Sequence, residues 1–330
     1  MATKLKVPAN CRRRRDISTN ADRPIVVAGE ALIDLLIYED GSIEASHGGG
    51  PFNAVRTVAR LGEPAVFLGM LSDDAFGRGL RSSLVSDGVH VADGLSTHLP
   101  TTLALAEIDS TGAANYRFCA GGTSAPSLTE CSTAAVPTNP HSLHVGTLGL
   151  VFEPTASTLL GLMRKMKGRA LISLDPNCRP SAIPDLGHYR ARMAAAVGVS
   201  DLVKLSDEDA EVLAPDADPA RTARTLLEQG PQLVVLTHGQ DGAQAFGEGW
   251  EFHVPAPLID VVDTVGAGDS FAGALLTSLR RMGRSVDDLG DQDIVRRAVD
   301  LAVMVSAVVC GRKGAEPPFL RELGAPPTVL

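Results

Sequence analysis

The chain has 330 residues with 30 Lys and Arg against 39 Asp and Glu, and its net charge of −9 opposes nonspecific binding to nucleic acid. Hydrophobic residues make up 44% of the chain, enough for a sizeable core, but aromatic residues make up 4%, too few for a surface that stacks single-stranded bases. Five widely spaced cysteines without a CxxC pair disfavour a disulfide framework and a zinc knuckle, so we expect a reduced, cytoplasmic protein.

The N-terminal segment is polar and carries an arginine run at 12–15, and we predict a disordered tail over residues 1–23. The apolar segment of a secretory signal does not follow this run, and no stretch approaches the roughly 20 continuous apolar residues that span a bilayer. Attraction of the run to nucleic acid or membrane is the alternative, but one short run makes few phosphate contacts. Residues 24–330 are predicted to form one domain.

Strands and helices alternate over the first part of this domain. The stretch IVVAGEALIDLLIY, which begins at Ile25, is apolar and β-branched enough for a strand. Residues 51–62 place apolar side chains on one helical face and end at Gly62, a C′ glycine. A short buried strand, AVFLGML, follows, and a second helix repeats apolar residues every four positions from Phe76 until it ends at Gly88.

Residues 95–121 differ from this alternation. The sequence TTLALAEIDSTGAANYRFCA predicts two strands joined by a turn at 110–112, which is an antiparallel hairpin. We interpret this hairpin, together with residues 35–50, as a lid over a binding site.

Beyond the hairpin, strands are predicted at LHVG, ALISLD, DLVKLS and QLVVLTHG. Short apolar strands between helices indicate a parallel sheet covered on both faces. We therefore predict a three-layer α/β/α fold with a mostly parallel central sheet and a small β-strand lid. The separating helices are predicted at 153–167, 187–198, 206–213 and 219–229.

The most specific segment is DTVGAGD at 263–269, which is followed by an amphipathic helix. Gly266, Ala267 and Gly268 are small enough for consecutive backbone N–H groups to converge on an anion, and the helix N-terminus adds partial positive charge. Asp269 would repel a stored phosphate, but it can accept a proton from a hydroxyl that attacks a phosphoryl group. The alternative is an ordinary turn with an aspartate in the first helical turn.

Two segments resemble the signatures of the PfkB family of carbohydrate kinases: GGGPFNAVRTVARLGEPAVFLGMLSDDAFG and DTVGAGDSFAGALL. The likeness extends from about Ile25 to Pro318. It implies a ribokinase-like fold and transfer of the γ-phosphoryl group of ATP to a sugar hydroxyl with Mg²⁺, often with a monovalent cation such as K⁺. By this resemblance Asp269 is the catalytic base, and the backbone at 266–268 forms the anion hole.

Four residues are candidates for binding the sugar. A carboxylate and a carboxamide can bond neighbouring hydroxyls, and glycines let a sugar ring approach the backbone. The family resemblance implies this role for Asp34, Gly49, Gly50 and Asn53. The alternatives are a carboxylate at a strand end for Asp34 and a residue at a helix start for Asn53.

On the nucleotide side, Lys204 stands at a predicted strand end, where it can reach phosphate oxygens. Ser206 and Asp209 follow, where the family often has Asn-x-x-Glu. Asp209 is therefore either a magnesium ligand acting through water or the capping-box partner of Ser206.

The resemblance implies further nucleotide and cation contacts. Thr237, Gly239 and Gly242 match a loop near the ATP phosphates. Gly314 and Ala315 stand where relatives line the adenine and cation pockets. Asp263 and Val265 match positions that donate oxygens to the monovalent ion, whereas Pro318 stands where ribokinase-like members can offer a hydroxyl.

The segment DPNCR at 175–179 resembles fructokinases and 2-keto-3-deoxygluconate kinases, and Arg179 can hold a substrate carboxylate or an ATP phosphate. The lid sequence at 116–118 is close to the fructokinase-like pattern and lacks the paired tyrosines expected of a ketodeoxygluconate kinase. We therefore predict fructose first, with 2-keto-3-deoxygluconate or ribose as alternatives.

Two other classes of function are weighed against a kinase. A sugar-sensing protein on the same scaffold is disfavoured by the intact Asp269 and glycines. A nicotinamide-dependent oxidoreductase is disfavoured because GEALID after the first strand lacks the G-x-G-x-x-G spacing. A homodimer is expected, because pairing of lids between two subunits, as in many relatives, would protect exposed strand edges.

Overall fold

The computed structural model describes residues 23–108, 114–283 and 286–324. Helices in these ranges are α1 (Gly50–Arg60), α2 (Ala75–Ser86), α3 (Thr155–Met166), α4 (Leu186–Val197), α5 (Asp207–Leu213), α6 (Pro219–Leu227), α7 (Ala267–Arg281) and α8 (Gln292–Cys310). Strands are β1 (Ile25–Ala28), β2 (Leu32–Ile37), β3 (Ile43–Gly48), β4 (Ala65–Leu68), β5 (Leu71–Ser72), β6 (His90–Val91), β7 (Ser96–Thr97), β8 (Leu103–Ile108), β9 (Ala114–Cys119), β10 (Ser142–Gly146), β11 (Leu171–Asp175), β12 (Leu202–Ser206), β13 (Leu233–Thr237), β14 (Ala243–Gly247) and β15 (Trp250–Val254).

The large sheet has the strand order β15-β14-β13-β12-β11-β10-β1-β4-β6. All neighbours from β13 to β6 are parallel, and β14 and β15 add an antiparallel edge. Strand β1 shows how both faces are used, because Ile25 and Val27 enter one hydrophobic core and Val26 and Ala28 enter the other. The predicted three-layer arrangement is confirmed.

Each core packs one set of helices on its face of the sheet. The first core takes apolar residues of α1, α2, α7 and α8, for example Val55 and Leu275. The second takes residues of α3, α4, α5 and α6, for example Leu159 and Met193. The four helices predicted between residues 153 and 229 all form.

A second sheet has the order β3-β2-β8-β9 and forms the small lid. Its outer pairs are antiparallel, and β2 and β8 are parallel. The predicted hairpin therefore corresponds to β8 and β9, and its turn at 110–112 lies outside the described residues.

The prediction of one continuous strand from Ile25 was wrong. The chain leaves the large sheet after β1, turns through Gly29, and enters the lid as β2. Gly29 has φ +149°, and a Cβ atom there would lie 2.5 Å from Pro51 Cγ, so a glycine lets the backbone cross between the sheets against α1.

Helix α1 ends as predicted, with Gly62 at φ +90° in the C′ position after Leu61. In α2, Leu80 and Leu84 are buried as expected, but Phe76 is 43% exposed and does not join the core. The side chain of Asp74 instead starts this helix by accepting a hydrogen bond from Gly77 N at 2.8 Å.

Most of the predicted tail, residues 1–22, lies outside the described residues. Arg23 is described, and its Nη2 donates to the carbonyl oxygen of Pro140 at 2.9 Å. Throughout the described ranges, the helices are too short or too polar to cross a membrane.

Candidate active site

The glycine loop, residues 263–268, leads into α7 at the edge of the sheet where β10, β11 and β12 end. Gly266 is the N-cap of α7 at φ +76°, and no side chain caps this end of the helix. A Cβ atom at Gly266 would lie 2.4 Å from Ala315 Cβ, and one at Gly268 would lie 2.9 Å from Lys204 Nζ. Packing against Ala315 therefore requires a small residue at 266. Ala267 N donates to the carbonyl oxygen of Thr264 at 3.2 Å, and the end of the helix still presents its positive dipole to the adjoining space.

Asp269 lies in the first turn of α7 and is held by two carboxamides. Asn53 Nδ2 donates to its Oδ2 at 2.9 Å, and Asn177 Nδ2 donates to its Oδ1 at 3.0 Å. Because Asn53 comes from α1 and Asn177 follows β11, the carboxylate is fixed from two sides. A Cβ atom at Gly50 would lie 3.0 Å from Asp269 Oδ1, so the glycine leaves room beside the carboxylate.

Two more carboxyl groups lie near Asp269. The pKa of Glu30 is raised to about 7, mainly by burial and in smaller part by the charge of Asp269, although backbone amides oppose both effects. These amides are Gly149 N, which donates at 2.9 Å, and Gly50 N, which donates at 3.3 Å. Glu30 thus connects the crossing between the two sheets to the start of α1.

Asp34 projects from β2 of the lid. Its pKa is raised to about 6, mainly by burial and also by the charge of Asp269, while the guanidinium of Arg179 opposes the rise. Its Oδ2 packs closely on the backbone at Gly48, where a Cβ atom would lie 1.9 Å away. Asp34, Glu30 and Asp269 therefore form a cluster of carboxyl groups, with the guanidinium of Arg179 near Asp34.

These carboxyl groups line a space of about 760 Å³ between the lid and the glycine loop, which we call the acidic cleft. The four predicted sugar-binding residues and Arg179 all lie on its wall. The predicted site residues that line it are Asp34, Gly49, Gly50, Asn53, Arg179, Asp263, Val265, Gly266, Gly268, Asp269, Gly314 and Ala315.

A second space of about 520 Å³ lies on the other side of the glycine loop and has mostly apolar walls; we call it the apolar cavity. Phe271 of α7 and Val303 of α8 form part of its wall, and Thr264 and Gly268 line both spaces. The two spaces therefore meet at the N-terminus of α7. The predicted site residues that line this cavity are Thr237, Gly239, Gly242, Ala267 and Gly268.

Gly314 and Ala315 were predicted to stand where relatives line the adenine and cation pockets, and this role stays a prediction. They line the acidic cleft and not the apolar cavity, because the segment after α8 folds back over the glycine loop. Asp263 joins these parts: its Oδ2 accepts from Gly314 N at 2.9 Å and its Oδ1 from Val265 N at 3.0 Å. The predicted cation role of Asp263 and Val265 stays a prediction.

Lys204 is buried and pairs with Asp175, its Nζ lying 3.0 Å from Asp175 Oδ2. Burial raises the pKa of Asp175 to about 7 although Lys204 opposes this. Burial would lower the pKa of Lys204, but attraction by Asp175 and Asp209 outweighs it and raises that pKa. The lysine therefore stays charged and lies directly behind Gly268.

Asp209 occupies the capping position that the sequence analysis held as an alternative to a magnesium site. Its Oδ2 accepts from Ser206 N at 2.8 Å and from Ser206 Oγ at 3.0 Å, and its Oδ1 accepts from Cys178 N. With both oxygens engaged and the residue buried, its carboxylate does not fit a direct metal ligand. No group of three His, Cys, Asp or Glu residues within the described ranges is arranged for a metal ion.

The sequence analysis missed three residues of this site: Glu30, Thr147 and Asn177. Thr147 and Asn177 have φ values of +54° and +40°, which are unusual for residues other than glycine and are typical of strained functional sites. Glu30 could have been found as a charged residue inside an apolar run, and Asn177 as a member of the DPNCR segment at 175–179. For Thr147 the sequence offered no signal.

A model of the pfkB family of carbohydrate kinases matches residues 22–322. The chain belongs to this family. A fructokinase from Rhizobium leguminosarum bv. trifolii is 34% identical over 261 residues, which are 78% of this chain and 79% of that protein.

Solved structures agree with this assignment. The structure of fructokinase with bound ATP from Xylella fastidiosa has a TM-score of 0.82 and 27% identity, covering 91% of this chain and 96% of that one. Fructokinase from Vibrio cholerae O395, with fructose, ADP and calcium ion bound, has a TM-score of 0.81 and 25% identity, covering 93% and 99%. The predicted ribokinase-like fold and the resemblance to carbohydrate kinases are confirmed.

Proposed function

We propose that this kinase transfers the γ-phosphoryl group of ATP to a hydroxyl group of a neutral sugar, with fructose as the first candidate. The observation that carries the proposal is the position of Asp269. Its carboxylate faces the acidic cleft and is oriented by hydrogen bonds from Asn53 and Asn177. Asp269 lies in the first turn of α7, where the acidic cleft and the apolar cavity meet.

The proposed reaction uses both spaces. A sugar in the acidic cleft presents a hydroxyl to Asp269, which accepts its proton while the sugar oxygen forms a bond to the γ-phosphorus. The bond between that phosphorus and the bridging oxygen of ADP breaks. Backbone N–H groups of Gly266 and Gly268 stabilise the charge on the transferred group, whereas Ala267 N donates to the carbonyl oxygen of Thr264. Lys204 adds positive charge behind Gly268.

ATP fits the apolar cavity, since Phe271 and Val303 can pack against a base, and Thr237, Gly239 and Gly242 lie where phosphates would enter. Magnesium supplied with ATP would screen the phosphate charge. We assign no protein ligand to it, because both oxygens of Asp209 accept hydrogen bonds from the chain. Potassium stays a prediction that depends on Asp263 and Val265.

The charge of the cleft supports a neutral sugar over a sugar acid. Asp269 and, above pH 6, Asp34 would repel a substrate carboxylate, and the charge of Arg179 is already offset by Asp34. The stacked rings of Tyr116 and Phe118, with centroids 6.4 Å apart, add an apolar wall from the lid. These features favour fructose or ribose over 2-keto-3-deoxygluconate.

The test is ADP release with ATP, Mg²⁺ and a panel of fructose, ribose, 2-keto-3-deoxygluconate and nucleosides. We expect Asp269→Asn to lower turnover by roughly 10²- to 10⁴-fold and to leave ATP binding largely intact. Asp293→Asn is the matched control, since Asp293 is the acidic residue in the first turn of α8, and it should leave turnover unchanged. Wild-type turnover by Asp269→Asn would refute the role of the base, and sugar binding without ADP release would support a sensor.

We also propose a homodimer formed through the lids. Strands β3 and β9 are the two edges of the lid sheet, so each has unpaired backbone groups that a second lid can cover. Light scattering at micromolar concentration should give the mass of a dimer, and the mass of a monomer would contradict it. The reduced, cytoplasmic setting expected from the sequence stays a prediction.

A further inference from the structure

Helix α1 carries two polar side chains on one face that contact residues next to the glycine loop. Asn53 donates to Asp269 at 2.9 Å. Arg56, three residues later on the same face, donates from Nη1 to the carbonyl oxygen of Ala315 at 3.2 Å. Ala315 in turn packs on Gly266, the N-cap of α7. The helix therefore contacts Asp269, the residue after the loop, directly, and it reaches Gly266 of the loop through Ala315.

The segment at 314–317 is held by charged groups. Glu316 lies between two arginines: Arg56 Nη2 donates to it at 3.1 Å and Arg60 Nη1 donates to it at 2.7 Å. Arg60 Nη1 also donates to the carbonyl oxygen of Pro317 at 2.7 Å. Although burial opposes it, these arginines lower the pKa of Glu316, so it stays charged at neutral pH.

Asp87, at the end of α2, completes the arrangement. Its carboxylate is buried and accepts from Arg56 Nε at 2.6 Å, while Arg60 Nε lies 2.9 Å from its other oxygen. Each arginine is thus held by one buried and one half-buried carboxylate, which gives the planar guanidinium groups a single orientation.

We propose that Arg56, Arg60 and Glu316 form a clamp that positions the glycine loop for phosphoryl transfer. The clamp rests on the proposed function, and its members are positioning residues. A shift of the segment at 314–317 would pass to the loop through the Ala315 contact with Gly266 and the bond from Gly314 to Asp263. A misplacement of about 1 Å in such a site can cost roughly 10²-fold in rate.

The deciding variant is Glu316→Ala. Because Glu316 is half exposed, its loss should change stability little. We expect kcat to fall roughly ten- to hundredfold with the KM for the sugar within about twofold, since the loop acts on the transferred group. We also expect faster hydrogen exchange of the amides at 263–268 in the free protein, a measurement that does not depend on activity.

The matched control is Glu63→Ala. Glu63 is also an acid held by two arginines, Arg280 and Arg281, but it lies at the opposite end of α7. This variant should keep wild-type kcat and wild-type exchange at 263–268.

Three results would overturn the clamp: wild-type kcat and exchange in Glu316→Ala, the same losses in Glu63→Ala, or a rise in KM alone, which would make Glu316 a sugar contact. Absence of ADP release by the wild-type protein would refute the proposed function instead, and the exchange experiment would still judge the clamp.

Discussion

Asn53 and Asp269 are 216 residues apart in sequence, and the amide of one donates to the carboxylate of the other at 2.9 Å. This bond joins the start of α1, beside the predicted sugar turn, to the first turn of α7. Asn177 holds the other oxygen of the same carboxylate. The proposed base is therefore oriented by residues from two separate segments before any substrate binds, and its orientation is a product of the fold.

Asn177→Gly tests this orientation. The backbone at 177 has φ +40°, which glycine adopts without strain, so the variant removes the amide and keeps the local conformation. We expect a fall in kcat of roughly tenfold, with a melting temperature close to that of the wild type. Steady-state kinetics and thermal denaturation measure the two effects. Unchanged kcat would show that Asn53 alone suffices to orient the base.

Gly266→Ala should damage both stability and activity. A left-handed backbone costs an alanine about 1–2 kcal/mol, and the new Cβ atom would lie 2.4 Å from Ala315 Cβ. Gly314→Ala is the control, because Gly314 has a similar φ of +71° but open space at its Cβ position. Chemical denaturation should show a larger loss of stability for Gly266→Ala than for Gly314→Ala. Equal losses of stability would contradict the close contact between Gly266 and Ala315.

Asp34 should make stability depend on pH. Its pKa is raised from 3.8 to about 6 in the folded protein, so between these values the folded state holds a proton that the unfolded state has lost. Its contribution to stability is therefore present below pH 4 and is lost as pH rises through 6.

Asp34→Asn removes this titration. The wild type should lose stability between pH 4 and pH 8, and the variant should not. The unfolding free energy of the variant minus that of the wild type should therefore rise by roughly 1–3 kcal/mol over this range, since a shift of one pKa unit corresponds to about 1.4 kcal/mol. Urea denaturation across this range measures the difference. A difference that stays constant with pH would contradict the raised pKa. Sugar turnover should fall in the variant at every pH if Asp34 binds the sugar.

Lys204→Met should be strongly destabilising, because it leaves Asp175 buried without its cation. Loss of one partner of a buried pair costs about 3–5 kcal/mol. Adding Asp175→Asn should restore most of the stability but not the turnover, since the charge behind Gly268 is still missing. Denaturation and ADP release on the single and double variants separate the two roles. Recovery of turnover in the double variant would show that Lys204 acts only structurally.

The sequence by itself determined the layers of the fold and the chemistry of the glycine loop. Short apolar strands between amphipathic helices indicated a parallel sheet covered on both faces. The small residues before Asp269 indicated a helix N-terminus that an anion can approach. These patterns are local, because each depends on residues within one or two turns or within one strand. Strands β14 and β15 and helix α8 were not predicted from the sequence. The two strands form one edge of the large sheet, and α8 forms part of the wall of the apolar cavity.

The tertiary structure alone decided which distant groups meet. It broke the apolar run after Ala28 into strands of two sheets, brought Asn177 to Asp269, and placed Gly314 and Ala315 on the cleft side of the glycine loop. It also gave both oxygens of Asp209 hydrogen-bond donors, Ser206 for one oxygen and Cys178 for the other. Such contacts join residues far apart in the chain, so they follow from how the helices pack on the sheet and not from any periodicity along the sequence.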